Sequence, residues 1–217
     1  MQSLILRAGD LKENDRLITA LTEDLGVLTA FANGAKRPRS PLHGMAQPFA
    51  HGTLELRPRR DTYIVTGAQA QGVFFGLSAD LSRLALANYF SALFIELSPR
   101  EEPAPGHLRL ALNALHFLSE GTRPQALLKA VVELRLLCLA GYMPDLSAPF
   151  LDLGPRGIPL SPAVHEAMRF ICAAPLERTF RFDLPEEEMR RLGDATEQYL
   201  LHQTGKRFAE LGYYEGL

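Results

Sequence analysis

Two short runs of cations are the part of this sequence best equipped for chemistry. Lys36-Arg37-Pro38-Arg39 places three positive side chains in four positions, and Arg57-Pro58-Arg59-Arg60 places three in another four. Fixed charge of this kind suits a polyanion, because the guanidinium fork matches phosphate oxygens and neutralising them releases counterions. Each run also has a plainer reading as solvated loop charge. Arg7, Lys12 and Arg16 form a weaker outer set on or beside the first strands. Aromatic partners for stacked bases are few. Phe31, Phe49 and Tyr63 all fit core positions, so backbone electrostatics should outweigh stacking.

The elements that must carry these charges change character along the chain. Leu4/Leu6, Leu17/Thr19/Leu21, Val27/Thr29/Phe31, Leu54/Leu56 and Tyr63/Val65 alternate at period two, which predicts five strands. Asp24-Leu25-Gly26, the long loop 35–48 and a turn near Arg57–Thr62 join them. Five short strands in so small a domain suggest a Greek-key barrel of the oligonucleotide-binding (OB) type, with an SH3-like barrel as the look-alike. From residue 79 the period becomes helical, with helices expected over Ala79–Leu97, His107–Ser119, from Pro124 to about Ala140, from Ser161 to about Ala173 and from about Asp183. The third is apolar nearly all round, which predicts the buried centre of a bundle. Segment 142–160 reads as irregular. The fold class expected is therefore α+β, an OB-fold barrel over 1–78 followed by an all-α bundle over 79–217.

Composition narrows the function classes. The chain has 217 residues, 47% hydrophobic and 22% charged, and a net charge of −2. That is ordinary for a soluble globular protein and gives no overall basic signal. Residues 1–78 hold nine Lys/Arg against seven Asp/Glu, and 79–217 hold fourteen against eighteen, a mild bias toward an anionic partner at the front. No run is long enough to span a bilayer and no secretory pattern opens the chain, so a cytoplasmic location is expected. The six histidines are scattered, no Gly-x-Ser-x-Gly elbow occurs, and Gly205-Lys206 lacks the earlier glycine of a P-loop, where Leu200 stands. A non-enzyme without cofactor is expected. Cys138 and Cys172 each lie in an apolar helical pattern and read as buried, inert thiols far apart in sequence, with no disulfide.

The wording of the chain resembles the RecO family of recombination mediators. The front matches through Arg7, Lys12-Glu13-Asn14-Asp15-Arg16-Leu17, Leu25-Gly26 and Phe31 to Ser40. The back matches through Glu133-Leu134-Arg135-Leu136-Leu137, Gly141-Tyr142-Met143-Pro144-Asp145-Leu146, Tyr199-Leu200-Leu201-His202 and Gly205-Lys206-Arg207. The resemblance implies an OB-fold followed by a helical domain. It also implies binding of single- and double-stranded DNA, annealing of complementary strands, and work with RecR to help RecA replace the single-stranded-DNA-binding protein. Under it, Lys36, Arg37, Arg39, Arg57, Arg59 and Arg60 are expected on phosphates, with Arg7, Lys12 and Arg16 behind them. It further implies a pocket on the helical domain for the acidic, Phe-ended tail of the single-stranded-DNA-binding protein, for which Arg135, Lys129, Lys206 and Arg207 are the candidate cations. Lys129 also suits a surface ion pair with Glu133, and Arg135 also suits a paired structural role. Many relatives carry a four-cysteine zinc module after Pro-Asp-Leu. Ser147 to Gly157 holds neither cysteine nor histidine, so no metal is expected. A protein-interaction adaptor that never meets nucleic acid is the alternative from another class.

Overall fold

The computed structural model describes residues 1–216. They fold into two compact units, one comprising Met1–Phe75 with Phe94–Leu112 and the other Gly76–Leu93 with Asn113 onward. The first contains five strands: β1 (Gln2–Asp10), β2 (Arg16–Thr22), β3 (Gly26–Ala32), β4 (Ala50–Arg59) and β5 (Thr62–Val73). They close into a barrel in the order β1-β2-β3-β5-β4, with β4 returning to β1. β3 and β5 run parallel, pairing Ala30 with Tyr63 and Phe31 with Ile64, while the other neighbours are antiparallel. That order is the OB-type Greek key, so the SH3-like alternative is set aside.

Alternation decides which side chains fill the barrel. Ile18 and Ala20 of β2 and Leu28, Ala30 and Ala32 of β3 are buried inside, with Ile5, Leu54 and Val65. Leu17, Thr19, Thr29 and Phe31 take the opposite parity and stay partly exposed. Phe31 is therefore on the outer face, not in the core where the sequence reading put it. Phe49 does fit the core, at 6% exposure, and Tyr63 packs partly buried against it. One end of the barrel is plugged by the β3–β4 loop, whose Ala35, Leu42, Met45 and Ala46 join the core. The loop predicted from charge and proline is thus half structural. The β4–β5 turn is tighter than expected, just Arg60-Asp61 between paired Arg59 and Thr62.

The β2–β3 turn at the other end is tied to a distant stretch. Val27 N–H donates to the Pro99 carbonyl at 2.8 Å, Glu101 N–H to Leu25 at 3.0 Å, and Ala104 N–H to Glu23 at 2.8 Å. Gly26 sits at φ 62°, and a Cβ there would stand 2.0 Å from the Pro99 oxygen. Both the backbone angle and the close approach require glycine.

The second unit is helical. After a 3-10 turn at Phe75–Ala79 come α1 (Leu81–Leu97), α2 (Pro105–Glu120), α3 (Gln125–Leu139), α4 (Pro162–Ala173), α5 (Glu186–Thr204) and α6 (Ala209–Glu215). The end of α1 and the first half of α2 belong to the first unit. In α3 every residue from Leu127 to Leu134, with Leu136 and Leu137, is buried, as its all-round apolar pattern predicts. Ser161 caps α4 through a 3.2 Å bond from Val164 N–H, with Pro162 following. Gly205 at φ 65° ends α5. Segment 142–160 is not wholly irregular: β6 (Phe150–Leu153) and β7 (Arg156–Pro159) form a small hairpin. Among the described residues no helix is long and apolar enough to cross a membrane, and no group of three or more His, Cys, Asp or Glu is placed to hold a metal.

Candidate nucleic-acid interface

The barrel register brings the basic runs to one place, the end of β3. Reading across the sheet, Leu17 of β2 faces Phe31 of β3, Phe31 faces Ile64 of β5, and Ile64 faces Arg57 of β4. This outward row carries an aromatic ring at its centre and an exposed guanidinium at its edge. Arg59 lies over the Phe31 ring, 5.1 Å from its centroid. One pair further down β3, Arg7 of β1 faces Thr19, and Thr19 faces Thr29. A bulge between Ile5 and Arg7 allows β1 to present Arg7 on this face.

The loops close around the same spot. Lys36 N–H donates to the Asn14 carbonyl at 3.0 Å, and Gly34 N–H to the Asp15 carboxylate at 2.8 Å. The β1–β2 loop, with exposed Lys12, is thereby stitched to the start of the basic loop, where Arg37 and Arg39 are exposed. Arg60 is exposed in its turn, at φ 51° in the left-handed region that a non-glycine residue adopts at a cost.

Lys36 and Arg16, both expected on phosphates, share one carboxylate within the fold. Lys36 Nζ lies 2.7 Å from Asp10 Oδ2, and Arg16 Nε lies 3.4 Å from Asp10 Oδ1. Arg16 also donates to the Ala46 carbonyl at 2.6 Å, pinning the plug loop across the barrel end. The hydrogen bond from Lys36 holds the Asp10 carboxyl below the usual carboxylate range, with Arg16 adding to it. Asp10 was not singled out from sequence, because Lys36 lies 26 positions away and Arg16 becomes its neighbour only through the β1–β2 pairing. Phe31 is named in the sequence reading but assigned to the core; buried Ala30 and Ala32 on either side put the interior on their parity and Phe31 outside.

The helical unit separates the four partner candidates. Lys129 is not on the surface. Its ammonium lies 2.9 Å from Glu133 and 2.7 Å from Glu197, and Glu133, fully buried, also accepts from the Tyr89 and Thr196 hydroxyls at 2.7 Å each. Burial alone would depress the Lys129 ammonium, but Glu133 and Glu197 outweigh it and hold it above its ordinary value. Arg135 donates to the Ile171 and Cys172 carbonyls at the end of α4. Lys206 and Arg207 instead line an open cavity of about 220 Å³ together with Tyr89, Leu200, Phe208 and Glu215. Sequence reasoning missed Phe208 and α6, which complete that cavity.

Comparison with known proteins decides the lineage. Residues 1–74 match the family described as Recombination protein O N terminal, and residues 78–150 match Recombination protein O C terminal. The chain belongs to the RecO family. Proteins named DNA repair protein RecO are its relatives. One from Acetivibrio thermocellus is 25% identical over 99% of this chain and 95% of its own length. One from Desulforudis audaxviator is 35% identical over 68% of this chain and 58% of its own, and one from Heliobacterium modesticaldum is 37% identical over 70% and 55%. The family's N-terminal match covers the whole barrel, and its C-terminal match runs through α3 to the first residue of β6.

Proposed function

We propose that this chain is a DNA repair protein whose barrel binds single- and double-stranded DNA at the end of β3. The observation that carries the reading is the shared row of outward Phe31 and exposed Arg57, with exposed Arg37 and Arg39 in the loop that leaves the end of β3. Arginines there would take phosphates, and the Phe31 ring, with Arg59 lifted from it, would take one base. Lys12, Arg7 and Arg60 extend the positive field, while Lys36 and Arg16 serve mainly to shape the loop. In this reading the protein acts without catalysis as a recombination mediator. It anneals complementary strands and, with RecR, helps load RecA on DNA coated by the single-stranded-DNA-binding protein, in the cytoplasm at the nucleoid. The family membership and the printed names of the relatives support the repair role.

The test is a titration of labelled single-stranded DNA at several salt concentrations. Replacing Arg37, Arg39 and Arg57 together by Ala should weaken binding to every sequence and flatten the salt slope by about 2–3 units. An unchanged slope would put the DNA elsewhere on the molecule. Annealing of complementary strands coated by the cognate binding protein should fall in parallel.

We also propose that the cavity between α5 and α6 takes the acidic, Phe-ended tail of the single-stranded-DNA-binding protein. Lys206 and Arg207 offer charge for its carboxylates, and Leu200 and Phe208 an apolar slot for its ring. Exchanging both cations for Ala should abolish binding of a tail peptide and leave naked-DNA affinity unchanged. If peptide affinity survives, the tail docks elsewhere.

A further inference from the structure

Cys138, near the end of α3, and Cys172, near the end of α4, are separated by 34 positions in the chain, yet their sulfurs lie 3.4 Å apart. The sequence reading took them for distant and inert. Both are free thiols on residues that are only partly buried. Arg135, one turn before Cys138 on α3, donates to the Ile171 and Cys172 carbonyls and so holds the end of α4 against α3 at this point. A disulfide needs a sulfur–sulfur distance of about 2.0 Å. The two sulfurs would have to approach by about a further 1.4 Å.

We propose that Cys138 and Cys172 are a redox site at which a hydroperoxide converts two thiols into an intramolecular disulfide. The Cys172 contact and the nearby Arg135 charge favour thiolate at Cys138, whereas the contact with Cys138 and burial push Cys172 up. The Cys138 thiolate attacks the peroxide oxygen, breaking the O–O bond. For hydrogen peroxide this gives a sulfenic acid and hydroxide. The Cys172 sulfur then attacks the sulfenic sulfur, its proton leaves with the hydroxyl as water, and the S–S bond forms. In sum two thiols are oxidised, one hydrogen peroxide is reduced, and two waters leave. A thiol reductant restores the pair. The bond would close a covalent ring around the excursion 139–171, which contains the β6–β7 hairpin.

The full chain, treated with graded hydrogen peroxide, tests this. The intact mass should fall by two hydrogen atoms, both thiols should become unreactive to maleimide, and a peptide map should join the Cys138 and Cys172 fragments within one chain. Melting temperature should rise by on the order of 5–10 °C and return on reduction. C172S should stop at a sulfenic acid that a cyclic dione traps, and C138S should trap none. Thiols that survive peroxide, a disulfide between two chains, or direct passage to sulfinic acid without loss of the two hydrogens would each overturn the proposal. The wild-type mass and map give that answer even if a serine variant fails to fold.

Discussion

Asp10 governs how much of the basic loop is available. Its carboxylate engages both Lys36 and Arg16, so it competes with phosphate for two cations and adds negative charge beside the interface. Asp10→Asn should therefore raise affinity for single-stranded DNA by about 3–10-fold at low salt and steepen the salt slope by up to about 1 unit. A weaker complex would mean that Asp10 orders the loop more than it neutralises it. The pH dependence follows from the lowered carboxyl. Its folded-state pKa lies below the ordinary 3.8, so the tie is intact above that value and is lost as pH falls below it. In a carbon-13 titration the Asp10 carboxyl should change below 3.8, and in Lys36→Ala it should move back toward that value.

At the scale of elements, the two cations on α3, Lys129 and Arg135, serve packing. Lys129→Ala leaves Glu133 buried beside two hydroxyls with no cation, and should cost about 3–5 kcal/mol, seen as a melting temperature roughly 10 °C lower. Pairing Lys129→Met with Glu133→Gln should recover much of the loss, because no buried charge then remains. Arg135→Ala should cost about 1–3 kcal/mol by stranding the α4 carbonyls, with fast amide exchange confined to the end of α4. Tail-peptide affinity unchanged in Arg135→Ala would fit the cavity at Lys206 and Arg207. These roles were only half legible in sequence. The period of α3 announced a buried helix, and the alternation of five segments announced a barrel. The parallel β3–β5 pair, the Lys129–Glu197 contact and the Cys138–Cys172 contact have no local signature, since each joins residues more than 30 positions apart. The β6–β7 hairpin was hidden because its strands are four residues long and bounded by proline and glycine.

For the molecule as a whole, the stretch after Pro144-Asp145-Leu146, which holds neither cysteine nor histidine from Ser147 to Gly157, forms a hairpin. Purified protein should contain no stoichiometric zinc by elemental analysis, and a chelator should leave its melting temperature where it was. Equimolar zinc, or a fall of several degrees on chelation, would overturn this expectation. The same whole-chain view relates charge to location. The net charge is −2, and yet the exposed cations of the barrel gather at one end of β3. Attraction to a polyanion should therefore orient the molecule on approach rather than hold it indiscriminately.

The tie between Gly26 and Pro99 sets a schedule for synthesis. The barrel's strands have all been translated by residue 73, but the partners of Glu23, Leu25 and Val27 arrive only with residues 99–104. A ribosome-bound chain that exposes the five strands alone should keep an open, protease-sensitive β2–β3 turn. It should become resistant in one step once the stretch through Ala104 clears the exit tunnel. Stalled nascent chains of increasing length, probed by brief proteolysis, would reveal that step, and Gly26→Val should erase it at every length.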